Sequence, residues 1–343
     1  MKTALITGGC GFVGHHVVEH FLKETDWNII VLDRIDYASC GFDRLRDIDA
    51  FDDKRVKTFV YDLNLPLTKG LIDEMGKDIN YVVHMAAASH VDHSITKPIP
   101  FILNNINNTV NMLEYVKENL LGEKLEKFIY FSTDEVFGTA PEGVNYKEGD
   151  RINPGNPYSA SKASAEAICM AYSNSYKMPI MITRTMNIIG ERQHHEKFLP
   201  LIIKSVVTGE KLTIHGNKDK TKTGTRFYLH ARNAADSLLF ILKNVNEFLD
   251  NIDASKGKFN IVGEQETSNL ELALIVAKIL GKELNYEIVD FHSSRPGHDL
   301  RYALDNSKLL ELGWDYPRTF EETVKSVVEW SLMSKNKHWL NLA

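Results

Sequence analysis

Short apolar and β-branched runs at 3–7, 28–32, 56–61, 81–84, 128–132 and 180–185 alternate with longer stretches whose apolar residues recur at helical spacing. The helical stretches fall near 12–23, 66–76, 98–119 and 158–176, the third opening on Pro98, which suits a first helical turn. Regular exchange of strand and helix predicts an α/β fold with a doubly wound parallel sheet. Between 139 and 157 the pattern breaks at Pro141, Gly143, Gly149, Pro154, Gly155 and Pro157. A long irregular loop within a compact unit is usually functional. Beyond residue 186 the rhythm loosens, with helical patterns near 197–208, 231–245, 268–281 and 320–333. The expected division is a first unit over 1–186 and a smaller C-terminal substrate-binding region over 187–343. The stretch 228–250 is assigned back to the first unit, because 232–243 has the apolar spacing of a sheet-covering helix.

The first strand runs directly into Gly8-Gly-Cys-Gly11-Phe-Val-Gly14 and then into a helical pattern. Glycines so placed permit a tight turn, close approach of backbone to a pyrophosphate and close packing of helix on strand. Gly8, Gly11, Phe12, Val13 and Gly14 are therefore expected to hold a dinucleotide in a Rossmann fold. The second strand ends at Asp33, whose carboxylate suits ribose hydroxyls and repels a 2′-phosphate, so NAD is expected over NADP, although Arg34 follows directly. Asp62 and Leu63 after the third strand, and Ala86 and Ala87 after the fourth, are expected to flank the same cofactor.

The run Phe128-Ile-Tyr-Phe-Ser-Thr-Asp-Glu-Val-Phe-Gly138 breaks from apolar to reactive at Thr133, Asp134 and Glu135. Such a break delivers side chains to the carboxyl end of a buried strand, where open α/β sheets bind ligands. Tyr158 and Lys162 stand four apart and share a helix face, and an ammonium near a phenol would lower the phenol's pKa. That tyrosine is expected to serve as a base near neutral pH.

With 343 residues, 43% hydrophobic content and a formal charge of −6, the chain can bury a sizeable core and offers no basic stripe for nucleic acid. Cys10, Cys40 and Cys169 have neither metal-ligand nor Cys-x-x-Cys spacing, and no metal is expected. An odd cysteine count suits a reducing cytoplasm. The chain opens almost directly on a strand and contains no run of 18 apolar residues, so neither secretion nor membrane insertion is expected.

These residues resemble the extended short-chain dehydrogenase/reductases, and among them the nucleotide-sugar 4,6-dehydratases. General marks are Thr7-Gly-Gly-Cys-Gly-Phe-Val-Gly14 and the Tyr158–Lys162 pair; specific marks are Ser132-Thr-Asp-Glu-Val-Phe-Gly138, Ser89-His-Val-Asp-His-Ser94, His195-Glu-Lys-Phe-Leu-Pro200 and Arg295-Pro-Gly-His-Asp299. The resemblance implies that Tyr158 takes the proton of a hexose 4-hydroxyl, hydrogen-bonded by Thr133, with Lys162 lowering the tyrosine's pKa. Glu135 would then remove the carbon-5 proton while a protonated Asp134 serves the departing 6-hydroxyl. It also implies a nucleotide-diphosphate sugar held by Ser89, Asn187, Glu196, Lys197, Arg226, Asn260, Arg295 and His298. A homodimer formed through the helices near 98–119 and 158–176 is implied as well.

The chain departs from the family pattern at Ala88, in 183–192 and in 221–228. UDP-, CDP- and GDP-linked sugars therefore stay open beside dTDP-glucose. Two other readings remain: a 4-epimerase using the same tyrosine and cofactor, and a non-catalytic NAD-binding scaffold.

Overall fold

The structure is a computed structural model and describes residues 1–290 and 300–342. Its strands in chain order are β1 (Thr3–Thr7), β2 (Asn28–Asp33), β3 (Val56–Val60), β4 (Tyr81–His84), β5 (Lys127–Thr133) and β6 (Ile180–Thr185). Shorter strands follow: β7 (Ile188–Ile189), β8 (Leu212–Gly216), β9 (Thr225–Phe227), β10 (Leu229–His230), β11 (Lys258–Ile261), β12 (Glu266–Ser268) and β13 (Tyr286–Asp290). Seven of them form one parallel sheet in the order β11-β6-β5-β4-β1-β2-β3. The expected doubly wound sheet is present, and its order turns back between β1 and β4, where such sheets open a crevice at the strands' carboxyl ends.

Both faces of the sheet are covered because successive side chains of each strand point to opposite sides and both sets are apolar. Ala4, Ile6, Ile29, Val31, Val83 and Ile129 belong to one core, whereas Leu5, Ile30, Leu32, Val82, Phe128 and Tyr130 belong to the other. Full burial of each aliphatic side chain stabilises by about 1.5–3 kcal/mol before entropy is counted.

The helices are α1 (Phe12–Glu24), α2 (Asp43–Asp47), α3 (Lys69–Met75), α4 (Val91–Thr96), α5 (Pro98–Asn119), α6 (Pro157–Tyr176), α7 (Phe198–Thr208), α8 (Ala231–Asn244) and α9 (Asn269–Leu280). Helix α1 packs against α8 on the first core, so the later helix does return to the sheet, and α5 packs against α6 beside the second. A third core joins α7, α9, β8 and the helix Phe320–Leu332.

Strand β11 moves the sheet's edge beyond the expected boundaries, since Lys258–Ile261 pairs in parallel with Ile182–Thr185. Its alternation is obscured by Lys258 and Asn260, both of which have specific partners. Lys308 Nζ donates to the Lys258 carbonyl, and Asn260 Nδ2 donates to the carbonyls of Tyr146 and Asp305. The irregular stretch carries no helix until α6 begins at Pro157, and it is fastened to residues 301–305. Ala140 N–H donates to the Arg301 carbonyl, Tyr146 N–H to the Ala303 carbonyl, and the Arg301 guanidinium to the carbonyls of Pro141 and Val144.

Candidate active site

Strand β5 ends at Thr133, whose hydroxyl caps the following 3-10 turn, Asp134–Phe137, by accepting the Glu135 N–H. The turn replaces strand hydrogen bonds with a sharp change of direction, which brings Asp134 and Glu135 together. Asp134 is 5% exposed, and Thr133 Oγ1 donates to its Oδ1 at 3.0 Å. Burial, reinforced by the Glu135 charge, pushes the Asp134 carboxyl up to about 7, despite the opposing charge of Arg226. Glu135 Oε2 accepts the Asn156 amide at 3.1 Å and faces the Tyr302 hydroxyl at 3.5 Å. One carboxyl thereby retains its proton up to about neutral pH beside another held by hydrogen-bond donors.

Asn156 also starts the adjacent helix. Its Oδ1 accepts the Ser159 N–H at 2.9 Å, while Ser159 Oγ accepts the Asn156 N–H, a reciprocal capping box with Pro157 in the first turn. One residue therefore fixes both the start of α6, which carries Tyr158 and Lys162, and the orientation of Glu135. The sequence signal for this cap is Asn156-Pro-Tyr-Ser, with Pro in the first turn and Ser three residues after the cap. Tyr302 was missed: its ring lies 4.6 Å from the Arg226 guanidinium carbon and its hydroxyl faces Glu135.

The expected effect of Lys162 on Tyr158 is corrected by the geometry. Lys162 Nζ donates to the Phe131 carbonyl at 2.7 Å and lies 4.3 Å from the Tyr130 ring centre, and burial lowers the ammonium to about 8. It is not among the charges acting on Tyr158. Burial and the neighbouring Glu135 charge push the phenol's pKa up, with only the Thr133 hydroxyl drawing it down. The protein alone therefore keeps Tyr158 protonated.

Gly8, with φ of +73°, packs against the Ala86 backbone, and a Cβ at Gly14 would stand 2.1 Å from the Gly8 carbonyl oxygen. The turn is thus a cradle that side chains would fill. Helix α1 has no side-chain cap and no acidic residue in its first turn, leaving its N-terminal amides suited to phosphate. Phe12 and Val13 sit half-buried in that turn. Asp33 accepts the N–H groups of Cys10 and Ile35 at 3.0 and 2.9 Å and retains lone pairs for ribose hydroxyls. Arg34 is tied to Asp36 and Asn104. The residues fit a dinucleotide with a free 2′-hydroxyl.

The flanking expectations divide. Ala86 and Ala88 are held by asparagines of α5: Asn108 Nδ2 donates to the Ala86 carbonyl, and Asn105 exchanges two hydrogen bonds with the Ala88 backbone. Ala87 between them is half-buried. These asparagines, buried on the inward face of α5, were the missed signal. Asp62 is engaged by Asn64, and Leu63 is buried in the second core.

Among the expected substrate residues, the charges of Glu196 and Lys197 act on His90, which places that pair near Ser89, and the Arg226 charge acts on Asp134. Ser89 and Glu196 are exposed, as is Asn187, whose carbonyl accepts the Leu229 N–H. Asn260 is corrected: it is fully buried, and its amide bridges Tyr146 and Asp305, so it ties the long loop to the sheet rather than facing a ligand. Arg295 and His298 lie outside the described residues.

A parallel sheet with this cradle and acid pair defines a dinucleotide-dependent enzyme class, and the comparisons narrow it. Residues 5–327 match the GDP-mannose 4,6 dehydratase family model, and the chain belongs to that family. It is 33% identical to dTDP-glucose 4,6-dehydratase of Salmonella typhimurium over 98% of this chain and 94% of the relative. It is 32% identical to the trifunctional UDP-glucose 4,6-dehydratase/UDP-4-keto-6-deoxy-D-glucose 3,5-epimerase/UDP-4-keto-L-rhamnose-reductase of Arabidopsis thaliana, over 98% of this chain but 48% of that protein. The chain therefore spans about half the length of that relative. The crystal structure of dTDP-glucose 4,6-dehydratase from Bacillus anthracis in complex with NAD superposes with a TM-score of 0.82 at 28% identity, covering 99% of this chain and 98% of that one.

Proposed function

We propose that the chain is an NAD-dependent nucleotide-sugar 4,6-dehydratase, a hydro-lyase that converts an NDP-hexose to the NDP-4-keto-6-deoxy sugar. The observation that carries this reading is the pairing of Asp134, raised to about 7, with Glu135 held by Asn156. Oxidation and reduction at carbon 4 need one tyrosine, whereas loss of water across carbons 5 and 6 also needs a base and an acid. Glu135 takes the carbon-5 proton, made acidic by the adjacent 4-keto group, and Asp134 gives its proton to the leaving 6-hydroxyl. Tyr158 takes the proton of the 4-hydroxyl, and Thr133 hydrogen-bonds the same oxygen. Gly8, Gly11, Phe12, Val13 and Gly14 hold the cofactor's diphosphate, Asp33 its adenosine ribose, and Ala86 and Ala87 leave room for its path. When bound, NAD supplies the acceptor for the carbon-4 hydride, the source of the hydride returned to carbon 6, and a positive ring charge that favours the Tyr158 phenolate. Lys162, one helical turn further on, donates to the Phe131 carbonyl and fastens α6 to the end of β5.

Ser89, Asn187, Glu196, Lys197 and Arg226 form the substrate side, and the guanidinium of Arg226 suits a diphosphate. A dTDP- or UDP-linked glucose is the substrate suggested by the relatives. A homodimer through α5 and α6 is supported by Ile99, Leu103 and Tyr176, which are exposed along them. Free Cys10, Cys40 and Cys169 suit the cytoplasm. The test is incubation with dTDP-, UDP-, CDP- and GDP-hexoses followed by product analysis. A 4-keto-6-deoxy product supports the proposal, and an inverted 4-hydroxyl with carbon 6 still oxygenated rejects it in favour of a 4-epimerase.

A further inference from the structure

Ahead of α7 the chain makes a tight turn, closed by the Lys197 N–H donating to the His194 carbonyl at 2.9 Å. The turn gathers His194, His195 and Glu196, whose ligand atoms all lie within 4.8 Å of one another. His194 Nδ1 stands 3.5 Å from Glu196 Oε2, and the two imidazole centroids are 4.3 Å apart with their planes at 31°. Ligands on a tetrahedral ion with bonds near 2.0 Å are separated by roughly 3.3 Å, so the His194–Glu196 spacing already matches one edge and the remaining gap is within the reach of a rotamer change.

We propose that, in the chain without bound sugar, His194, His195 and Glu196, the last also given above to the substrate side, form a binding site for a divalent transition-metal ion of the zinc, cobalt or nickel class, with water completing the coordination. Two imidazoles and one carboxylate are the donor set such ions accept, and imidazole selects them over magnesium or calcium. The surroundings suit a ligand cluster. The Tyr37 ring meets the His194 ring edge-on at 6.2 Å and 89°, and the Tyr37 hydroxyl lies 3.2 Å from His93 Nδ1. His93 in turn stacks on His90 at 4.1 Å. Side chains packed in this way limit the rotamers of His194 and lower the entropy lost on coordination. Cysteine spacing does not reveal this site, because its donors are contiguous and contain no sulfur.

The test is binding of Co²⁺ and Zn²⁺ to the chelator-treated full chain, followed by calorimetry and by the visible absorption of bound Co²⁺. One ion per chain is expected, with affinity lowered at least about tenfold in His194→Ala and in His195→Ala. His338→Ala, on the exposed C-terminal turn, serves as the control and should bind as the parent does. Absence of stoichiometric binding, or equal binding by the parent and a His194→Ala/His195→Ala double variant of unchanged melting temperature, overturns the proposal. Binding is measured without turnover, so its outcome is independent of the dehydratase assay.

Discussion

The Thr133 hydroxyl donates to Asp134 Oδ1 at 3.0 Å, while Asp134 Oδ2 is buried without a hydrogen-bond partner. An ionised carboxylate so placed loses solvation it cannot recover, whereas the acid form keeps its proton for transfer. Catalysis that needs protonated Asp134 should fall as pH rises through about 7, the value to which burial and Glu135 raise this group. The same shift bears on stability. The folded chain holds the Asp134 proton above the pH at which the unfolded chain releases it. Stability from this group is therefore full below about pH 4 and is lost as pH climbs to about 7. Asp134→Asn should abolish the alkaline limb of the kcat profile together with most turnover, and flatten denaturant-measured stability across that window.

Glu135→Gln keeps the Asn156 and Tyr302 neighbours in place but removes the base. Turnover should fall by about 10² to 10⁴, the usual contribution of a positioned proton acceptor. In deuterium oxide the parent should place deuterium at carbon 5 of the sugar, and the variant should show almost none by mass spectrometry or NMR.

Glu166 and Arg184 form a bidentate pair at 3.0 and 2.6 Å with both side chains almost wholly buried, joining α6 to β6. Because Glu166 lies one turn beyond Lys162, this pair anchors the helix that carries Tyr158. Arg184→Met leaves a buried carboxylate alone and should cost about 3–5 kcal/mol, whereas Arg184→Met/Glu166→Met should cost much less. The denaturant midpoints of the two variants, compared with that of the parent, provide the measurement.

The sheet was legible because its central strands are buried on both faces and read as largely apolar runs, with edge strand β3 marked by its β-branched and aromatic residues: β1, β4 and β6 fall where the pattern put them, and β2, β3 and β5 within a residue. The acids were legible because they interrupt such a run. The hold of Asn156 on Glu135 and of Asn105 on Ala88 was not, because those partners lie 21 and 17 positions away, although the local capping of α6 by Asn156 is written in Asn156-Pro-Tyr-Ser. Asn260 was assigned to the ligand by the resemblance alone, and only its partners Tyr146 and Asp305, far away in the chain, show that it fastens the loop. Helix spacing put Lys162 on the face of Tyr158, but it could not show that the ammonium would turn to the Phe131 carbonyl.

Gly14 and Gly70 separate two reasons for finding glycine in a helix. A Cβ at Gly14 would meet Gly8 O at 2.1 Å and Gly9 Cα at 2.8 Å, and these backbone atoms belong to the turn proposed to hold the diphosphate. The added methyl must push α1 off that turn, so Gly14→Ala should destabilise by about 1–3 kcal/mol or more and purify with little bound NAD, measured by nucleotide absorbance after denaturation. Nothing lies within 4 Å of a Cβ at Gly70 in α3. Gly70→Ala should therefore keep its cofactor and gain up to about 1 kcal/mol, because only chain entropy changes. Equal NAD content in the two variants would mean that the Gly8–Gly14 contact does not set the cofactor's place.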